Sequence, residues 1–275
     1  MKTSTKLALG LAAGAAIAAP IFLLAPGSAG KGKKAPFLGR NFAHRGLHTQ
    51  EVPENSLAAF AQAADAGYAI ELDLHLTGDG EVGVFHDDGL GRLCGVDRRV
   101  EDMTLQELSE LRLLGTDQGI PTFSQVLALV GGRVPLMVEL KPGKKRWELC
   151  RKTVEELMGY QGSVCIQSFD PLVVTWFRFR APQYLRGQLA APASEYPDQP
   201  KWKGWAMSHL LLNFLARPQF ISYRIGPKPT SVKFCELLGR LTGAMRVAWT
   251  SHSQENERGK DAVVFEHYRP LPYFF

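Results

Sequence analysis

The chain has 275 residues, a formal net charge of +5 at pH 7 and 45% hydrophobic residues, a composition typical of a globular protein with a substantial core. The basic excess is mild and is not accompanied by an array of arginines and aromatic residues, which argues against nucleic-acid binding. The four cysteines form no CxxC pair and have no zinc-site spacing, so no zinc site is predicted.

The N-terminus has the pattern of a targeting segment. Lys2 and Lys6 precede an uncharged run, residues 7–30, that is rich in alanine, leucine and isoleucine and long enough to cross a bilayer. We therefore expect residues 1–35 to be a membrane anchor with a basic linker, with the catalytic domain outside the cytoplasm at the cell membrane. Cleavage after the small residues 27–29 is the alternative, and it would release a secreted protein.

Residues 36–275 alternate between strand and helix patterns, which predicts one domain with a parallel sheet covered by helices. The strand candidates are 41–43, 70–76, 135–141, 163–167, 184–189, 220–223, 246–250 and 261–265. The main helix candidates are 56–66, 123–130, 147–158, 171–180, 207–215 and 231–241. Asn55 is expected to cap the first helix. Eight strands favour a closed α/β TIM (β/α)₈ barrel, and residues 87–118 have the pattern of an excursion rather than of a βα unit.

The second strand carries the clearest functional pattern. Apolar and polar residues alternate along it, so Glu71, Asp73 and His75 project from one face. Two carboxylates in an otherwise apolar strand are costly unless a partner compensates them, and a divalent cation is one such partner. A turn and a short strand at 81–85 then deliver His86. His75 is a candidate ligand, although a neutral supporting role is equally compatible with the pattern.

Further polar residues fall near predicted strand ends, where the active sites of such barrels lie. Glu139 would complete a site of three carboxylates, which suits Mg²⁺ or Ca²⁺ because all the ligands are oxygens. His44 and His86 are candidates for general acid and base. Arg45 and Lys141 are suited to binding a phosphate group. The alternative is a structural network in which these two cations pair with the carboxylates.

In order and spacing, several short motifs resemble those of the glycerophosphodiester phosphodiesterases. They are His44-Arg45-Gly46, Pro53-Glu54-Asn55-Ser56, Glu71-Leu72-Asp73, Val84-Phe85-His86-Asp87, Glu139-Leu140-Lys141, Gln167-Ser168-Phe169-Asp170 and Trp249-Thr250. The resemblance covers roughly residues 40–270. It implies a TIM barrel with a small insertion after the second strand, residues 87–118. It also implies hydrolysis of glycerophosphodiesters to an alcohol and sn-glycerol 3-phosphate with one divalent cation.

By motif position, the resemblance implies a role for each site residue. Glu71, Asp73 and Glu139 would bind the metal, and His44 and His86 would form the acid/base pair. The phosphate would contact Arg45 and Lys141, and the pocket would include Gln167 and Trp249. In the family mechanism the glycerol hydroxyl attacks phosphorus, and water then opens the resulting cyclic phosphate. The sequence does not say which histidine is the acid.

The chain departs from the family pattern at Ser251-His252, after the last strand at Glu266-His267, and over residues 190–218. In the last stretch Trp202 and Trp205 would either face lipid or belong to an ordinary barrel helix. One alternative function is therefore lysophospholipase D or sphingomyelinase-D-like activity on membrane lysolipids. Another is a membrane-tethered binding protein without turnover. The head group and the oligomeric state stay open.

Overall fold

In the computed structural model, which describes residues 18–197 and 199–274, eight parallel strands close into a barrel. The strands are Arg40–Ala43 (β1), Ala69–Leu76 (β2), Val82–Val84 (β3), Leu136–Leu140 (β4), Val164–Ser168 (β5), Leu185–Ala190 (β6), Phe220–Arg224 (β7), Met245–Ser251 (β8) and Ala262–Phe265 (β9). Pairing of β1 with both β2 and β9 closes the ring, and β3 pairs antiparallel with β2 outside it. The predicted TIM barrel is confirmed.

Strand β2 shows why the barrel forms. Every one of its residues is buried, because one face packs on helices and the other points into the barrel. Ile70, Leu72 and Leu74 belong to the apolar cluster that includes Phe60 and Phe123 from the covering helices. The alternate residues are polar and therefore face the barrel interior.

Helices and short 3₁₀ turns connect the strands. The helices that follow barrel strands are Leu57–Asp65, Phe123–Val130, Arg146–Leu157, Pro171–Arg180, Lys201–Ser208, Asn213–Ala216 and Thr230–Thr242. Thr122 caps its helix with a reciprocal bond to Gln125, and Asp170 caps the helix that starts at Pro171. The expectation for Asn55 is wrong: Ser56 caps the first helix by accepting from Ala59 N, which leaves the Asn55 side chain free for the barrel interior.

The stretch before β7 also differs from the prediction. The prediction of a single helix over 207–215 is wrong, because the structure has two separate helices, Lys201–Ser208 and Asn213–Ala216, with a non-helical stretch between them. At the break Leu210 adopts φ 58° and is buried. Asn213 donates to Leu24 O, 3.1 Å away. The burial of Leu210 and the hydrogen bond from Asn213 to the N-terminal segment therefore stabilise the interrupted conformation over a continuous helix.

The segment after β3 folds as a small unit of its own. Its helical pieces are Gly91–Cys94, Val100–Asp102, Leu105–Ser109 and Leu113–Gly115. Phe85, Leu90, Val100 and Leu108 form its separate apolar cluster. This is the place where the sequence predicts an insertion.

The N-terminal segment packs beneath the barrel. Gly27 N donates to Pro218 O at 2.8 Å, and Gln219 Nε2 donates to Ser28 O at 2.9 Å. The stretch expected to be a basic linker contains the helix Lys31–Lys34 and a 3₁₀ turn, Ala35–Phe37, and it lies against the barrel. Burial of apolar side chains such as Phe37 explains this difference.

Most of the predicted anchor cannot be compared with the structure, because residues 1–17 lie outside the described residues. Residues 18–24 are helical. Within 18–197 and 199–274, no helix combines the length and the apolar character needed to cross a bilayer.

Candidate active site

Three carboxylates from β2 and β4 meet inside the barrel. The parallel register sets Asp73 beside Glu139, and Glu139 beside Gln167 on β5. One carboxylate oxygen from each of Glu71, Asp73 and Glu139 lies within 4.8 Å of the others, and all three residues are buried. The alternation of β2 and the register of its neighbour are sufficient to build this cluster.

Two cations border the cluster. Lys141 Nζ lies 3.1 Å from Asp73 Oδ1 and 2.6 Å from Glu139 Oε1. Arg45 Nε lies 3.5 Å from Asp73 Oδ2, and the Arg45 backbone N donates to Glu71 Oε2 at 3.2 Å. Arg45 and Asn55 both have φ 55°, and Asn55 Nδ2 donates to Asp73 Oδ2 at 2.9 Å. The ion-pair network considered from the sequence is therefore present, and it centres on Asp73.

The cations do not compensate the three carboxylates equally. Burial raises the pKa of Asp73, but Lys141, His86 and Arg45 outweigh it and lower that pKa far below its usual range. In contrast, burial and the neighbouring carboxylates raise the pKa of Glu71 well above its usual value. Burial also raises the pKa of Glu139. The ionised form of Glu71 is thus the least compensated of the three, and an additional positive charge beside it would stabilise that form.

The donor set fits a hard divalent cation. All three carboxylates supply oxygen, the ligand that Mg²⁺ and Ca²⁺ take. Gln167 Nε2 donates to Glu71 Oε1 at 3.3 Å, while Gln167 Oε1 is buried and has no hydrogen-bond partner among the described residues. A cation at this cluster would satisfy that oxygen and relieve the repulsion at Glu71.

His44 is held by a carboxylate that comes from the other end of the sequence. Its Nδ1 lies 2.5 Å from Glu266 Oε2, just after β9. Burial lowers the pKa of His44 despite this partner. Burial raises the pKa of Glu266, but the hydrogen bond from His44 and the nearby His48 outweigh that effect and lower the pKa. The arrangement orients the His44 ring and leaves Nε2 for the pocket.

His86 has an equivalent partner in the next residue. Its Nδ1 lies 2.6 Å from Asp87 Oδ1, and Asp87 Oδ2 accepts from Arg92 Nε at 2.6 Å. Arg92 also donates to Glu54, which accepts from Arg45 Nη1 at 2.7 Å. A continuous chain of charges therefore links His86 to Arg45. Sequence reasoning assigned no role to Asp87, Arg92 or Glu54, although two of them lie in the quoted motifs.

His75 does not face the carboxylate cluster as a ligand. Its Nε2 lies 3.2 Å from the carbonyl oxygen of His86, so this nitrogen carries a proton and ties β2 to the segment that bears His86. The structure therefore favours the supporting role over the ligand role.

One cavity of about 380 Å³ connects these groups. Eight of the nine predicted site residues line it, namely His44, Arg45, Glu71, His86, Glu139, Lys141, Gln167 and Trp249. Asp73 lies just beneath and is 1% exposed. Trp249 packs edge-on against Phe169, which also contacts Tyr196, so one side of the cavity is aromatic. A larger groove of about 1100 Å³, between residues 38–39 and 254–261, contains none of these groups.

Comparison with known proteins assigns the family. Residues 44–222, more than half of the chain, match the model of the Glycerophosphoryl diester phosphodiesterase family. The chain belongs to this family. The chain is therefore assigned the class of enzyme that the sequence predicts, a phosphoric diester hydrolase.

Curated relatives agree with the assignment. A glycerophosphodiester phosphodiesterase of Caldanaerobacter subterraneus is 33% identical over 161 residues, which cover 54% of this chain and 65% of that protein. A putative glycerophosphodiester phosphodiesterase of Bacillus subtilis is 29% identical over 82% of this chain and 93% of its own length. A phosphodiesterase of Oleispira antarctica, solved with the product sn-glycerol 3-phosphate, superposes with a TM-score of 0.66 at 24% identity, over 83% of this chain and 93% of that one.

The chain is also similar to an enzyme with a different name. A lysophospholipase D of Rattus norvegicus is 34% identical over 122 residues, which cover 40% of this chain and 38% of that protein. The match is therefore confined to less than half of either chain.

Proposed function

We propose that the chain hydrolyses glycerophosphodiesters to an alcohol and sn-glycerol 3-phosphate, with one divalent cation, in phospholipid breakdown. The observation that carries the proposal is the single cavity, in which two carboxylate-held histidines lie with a cluster of three buried carboxylates. Relatives named for this activity support it.

The charged groups have complementary tasks. When bound by Glu71, Asp73 and Glu139, a divalent cation supplies Lewis-acid stabilisation of negative charge on the phosphate oxygens. Arg45 and Lys141, both lining the cavity, place further positive charge at the same group. The buried carboxylates beneath hold these two cations in place, so little reorganisation is needed when the substrate binds.

We assign the base role to His44 and the acid role to His86. Burial lowers the pKa of His44, which favours the neutral imidazole. With Nδ1 donating to Glu266, the free Nε2 can accept a proton from the glycerol hydroxyl, which then attacks phosphorus. The leaving alcohol takes a proton from His86, and water opens the cyclic phosphate in the reverse proton transfer.

The test uses the full-length protein. Release of sn-glycerol 3-phosphate is measured from glycerophosphocholine and glycerophosphoethanolamine, with EDTA and then with added Mg²⁺ or Ca²⁺. We expect release that EDTA abolishes and one of the two ions restores. Folded protein that binds the ion but releases no product from either substrate would contradict the proposal and favour a binding protein.

A second substrate class, membrane lysophospholipids, is favoured by one surface feature. Trp202 and Trp205 are 73% and 51% exposed on the helix Lys201–Ser208, beside the exposed Lys203. Exposed tryptophans flanked by lysines suit the interface of an anionic bilayer. The alternative, that both tryptophans belong to an ordinary barrel helix, agrees with the helix Lys201–Ser208 but does not explain why both rings are exposed to solvent.

Choline release from lysophosphatidylcholine vesicles, compared with sn-glycerol 3-phosphate release from glycerophosphocholine, separates the two substrate classes. If lysolipid is the substrate, Trp202→Ser together with Trp205→Ser will lower the vesicle activity only. Equal loss on both substrates would indicate a structural role instead. Leu241→Ser, at another exposed apolar residue, is the matched control.

We further propose that the chain is held at the membrane by its N-terminal segment, with the catalytic domain outside the cytoplasm. The support is the charge pattern and the apolar run of the sequence. Signal cleavage after residue 29 would sever a segment whose backbone bonds to Pro218 and Gln219. Membrane fractionation with N-terminal sequencing tests this: a soluble extracellular protein beginning at residue 30 would contradict the anchor.

A further inference from the structure

A group of basic side chains lies at the underside of the barrel, where the parallel strands begin. Arg178 is in the last turn of the helix that follows β5, Arg186 is at the start of β6, and Arg217 precedes β7. Lys33 joins them from the N-terminal segment. No aspartate or glutamate occurs in the stretches that supply these side chains, which are residues 18–50, 171–194 and 199–235. Positive charge is therefore concentrated at this face.

Hydrogen bonds connect these cations to backbone rather than to carboxylates. Arg186 Nη2 donates to the carbonyl oxygen of Arg217 at 3.1 Å, and Arg178 Nη1 donates to that of Leu215 at 2.8 Å. The side chains of Lys33 and Arg217 also donate to backbone carbonyls. Within the described residues, all hydrogen bonds from these four side chains go to neutral oxygens. Their hydrogen-bond partners therefore leave the positive charge of the group uncompensated.

The cations are close enough to repel one another. Burial and the neighbouring Arg178 lower the pKa of Arg186 to about 10, and the same two causes lower the pKa of Arg217. Burial and Arg186 lower the pKa of Lys33. A negative charge placed against this face would relieve the repulsion and stabilise the protonated side chains.

Exposed aromatic rings flank the basic group. Phe22 and Phe179 are 57% and 66% exposed. The guanidinium carbon of Arg217 lies 5.3 Å from the centre of the Phe22 ring, and that of Arg178 lies 4.8 Å from the centre of the Phe179 ring. Basic side chains next to exposed aromatic rings are typical of protein surfaces that lie on anionic bilayers.

The apolar N-terminal run leads to the same face. Phe22 lies in the helix that residues 18–24 form. Residues 7–17 directly precede this helix in sequence and contain no charged residue. An apolar segment that enters a bilayer just before Phe22 would bring this face against the lipid head groups. The charge of the face and its place in the chain therefore indicate the same occupant.

We propose that the underside of the barrel docks on a bilayer that contains anionic phospholipids. The basic surface that makes the contact consists of Lys33, Arg178, Arg217, Phe22 and Phe179, with Arg186 buried behind it. This goes beyond the proposed anchor, which by itself places no part of the barrel on lipid. The attraction is electrostatic at an exposed surface, so it weakens as salt is added.

The binding test uses full-length protein and vesicles of phosphatidylcholine with or without phosphatidylglycerol. An anchor at residues 7–17 would bind both kinds of vesicle, so the ratio of the two partition coefficients isolates the basic surface. We expect a ratio of about 100 or more at low salt, because each basic residue near an anionic surface strengthens binding about fivefold. In NaCl at high ionic strength the ratio should fall toward one.

The variant Lys33→Gln with Arg178→Gln removes two of the charges and keeps a hydrogen-bond donor at each position. It should lower the ratio by at least about tenfold. The single variant Lys33→Gln, with an expected loss of about fivefold, serves if the double variant unfolds. An unchanged ratio in a folded variant, or a wild-type ratio near one, would overturn the proposal.

Two further variants locate the contact. Arg98→Gln with Arg151→Gln removes the same charge from exposed side chains elsewhere and should keep the wild-type ratio. An equal loss in this control would show an effect of net charge and overturn the docking surface. Trp202→Ser with Trp205→Ser should also keep the ratio, and a loss confined to this variant would place the contact on another face. Inorganic phosphate that displaces the protein more strongly than NaCl of equal ionic strength would indicate a soluble-anion site instead.

Hydrogen exchange gives a readout that does not depend on how tightly an anchor holds the protein. In nanodiscs, anionic lipid should slow exchange of the amides in residues 31–34 and 178–184 relative to neutral lipid, and should leave residues 201–208 unaffected. Equal exchange on both lipids would overturn the docking surface even if the protein fractionates with membranes, and the anchor would remain supported. Neither measurement depends on catalysis. A chain that prefers anionic lipid but hydrolyses no phosphodiester would contradict the proposed function and leave the docking surface supported.

Discussion

The pair formed by His44 and Glu266 gives the sharpest prediction about catalysis. The change Glu266→Gln keeps the shape of the side chain and removes its charge. The bond it alters is short, 2.5 Å, and joins side chains that are only 14% and 19% exposed. A hydrogen bond to a charged group contributes about 1.5–3 kcal/mol. Because 1.4 kcal/mol corresponds to a factor of ten, we expect kcat to fall by about 10- to 150-fold with a smaller change in KM.

The pH dependence provides a second readout. Burial lowers the pKa of His44, and Glu266 partly offsets that effect by raising it. Removal of the carboxylate charge therefore lowers the pKa of His44 further. If His44 is the base, the acid limb of kcat/KM moves to lower pH, since His44 stays deprotonated to a lower pH. Glu110→Gln, at an exposed carboxylate, is the matched control. A wild-type rate and an unshifted limb in Glu266→Gln would refute the positioning role of Glu266.

Three further predictions concern the site and the N-terminal segment. His44→Ala and His86→Ala should each lower turnover by about 100-fold or more with the circular dichroism spectrum retained, and near-normal activity would remove that residue from the mechanism. The pKa of Glu71 is raised in the folded protein, so the free energy of unfolding of the metal-free protein falls as pH rises and this carboxyl ionises. The gap in Tm between Mg²⁺-loaded and EDTA-treated protein should thus widen from pH 5 to pH 8, and a pH-independent gap would count against Glu71 as a ligand. Protein that lacks residues 1–35 should be less stable by about 3 kcal/mol or more, through lost hydrogen bonds and the burial of Leu24, whereas removal of residues 1–17 alone should preserve these contacts.

The family and the barrel were predictable because both depend on local patterns. Strict alternation in β2 fixes which residues face inward, and the parallel register then brings Glu139 beside Asp73. Caps such as Thr122 and Asp170 also depend only on neighbouring residues. The grouping of the predicted site residues around one cavity follows from strand ends that meet at the same end of the barrel.

The remaining features depend on contacts that no local pattern encodes. His44 and Glu266 are 222 positions apart in sequence, and only closure of β1 on β9 brings them together. Asn55 resembles a helix cap in isolation, but the nearby carboxylate of Asp73 binds its side chain instead. The prediction of one helix over 207–215 was wrong for a similar reason, since the helix is interrupted where Asn213 hydrogen-bonds to Leu24 of the N-terminal segment.

The two ends of the barrel bear on the choice of substrate. The N-terminal segment is bonded at the starts of strands, through Pro218 and Gln219 before β7, and Gly39 N donates to Asp261 O just before β9. His44 and Glu266 instead follow the ends of β1 and β9, so the catalytic cavity opens at the opposite end. An anchor that continues from this N-terminal segment would therefore leave the cavity facing away from the membrane that holds the protein. This geometry favours water-soluble glycerophosphodiesters over lysolipids of the same bilayer, and it makes the vesicle assay with the tryptophan variants the decisive comparison.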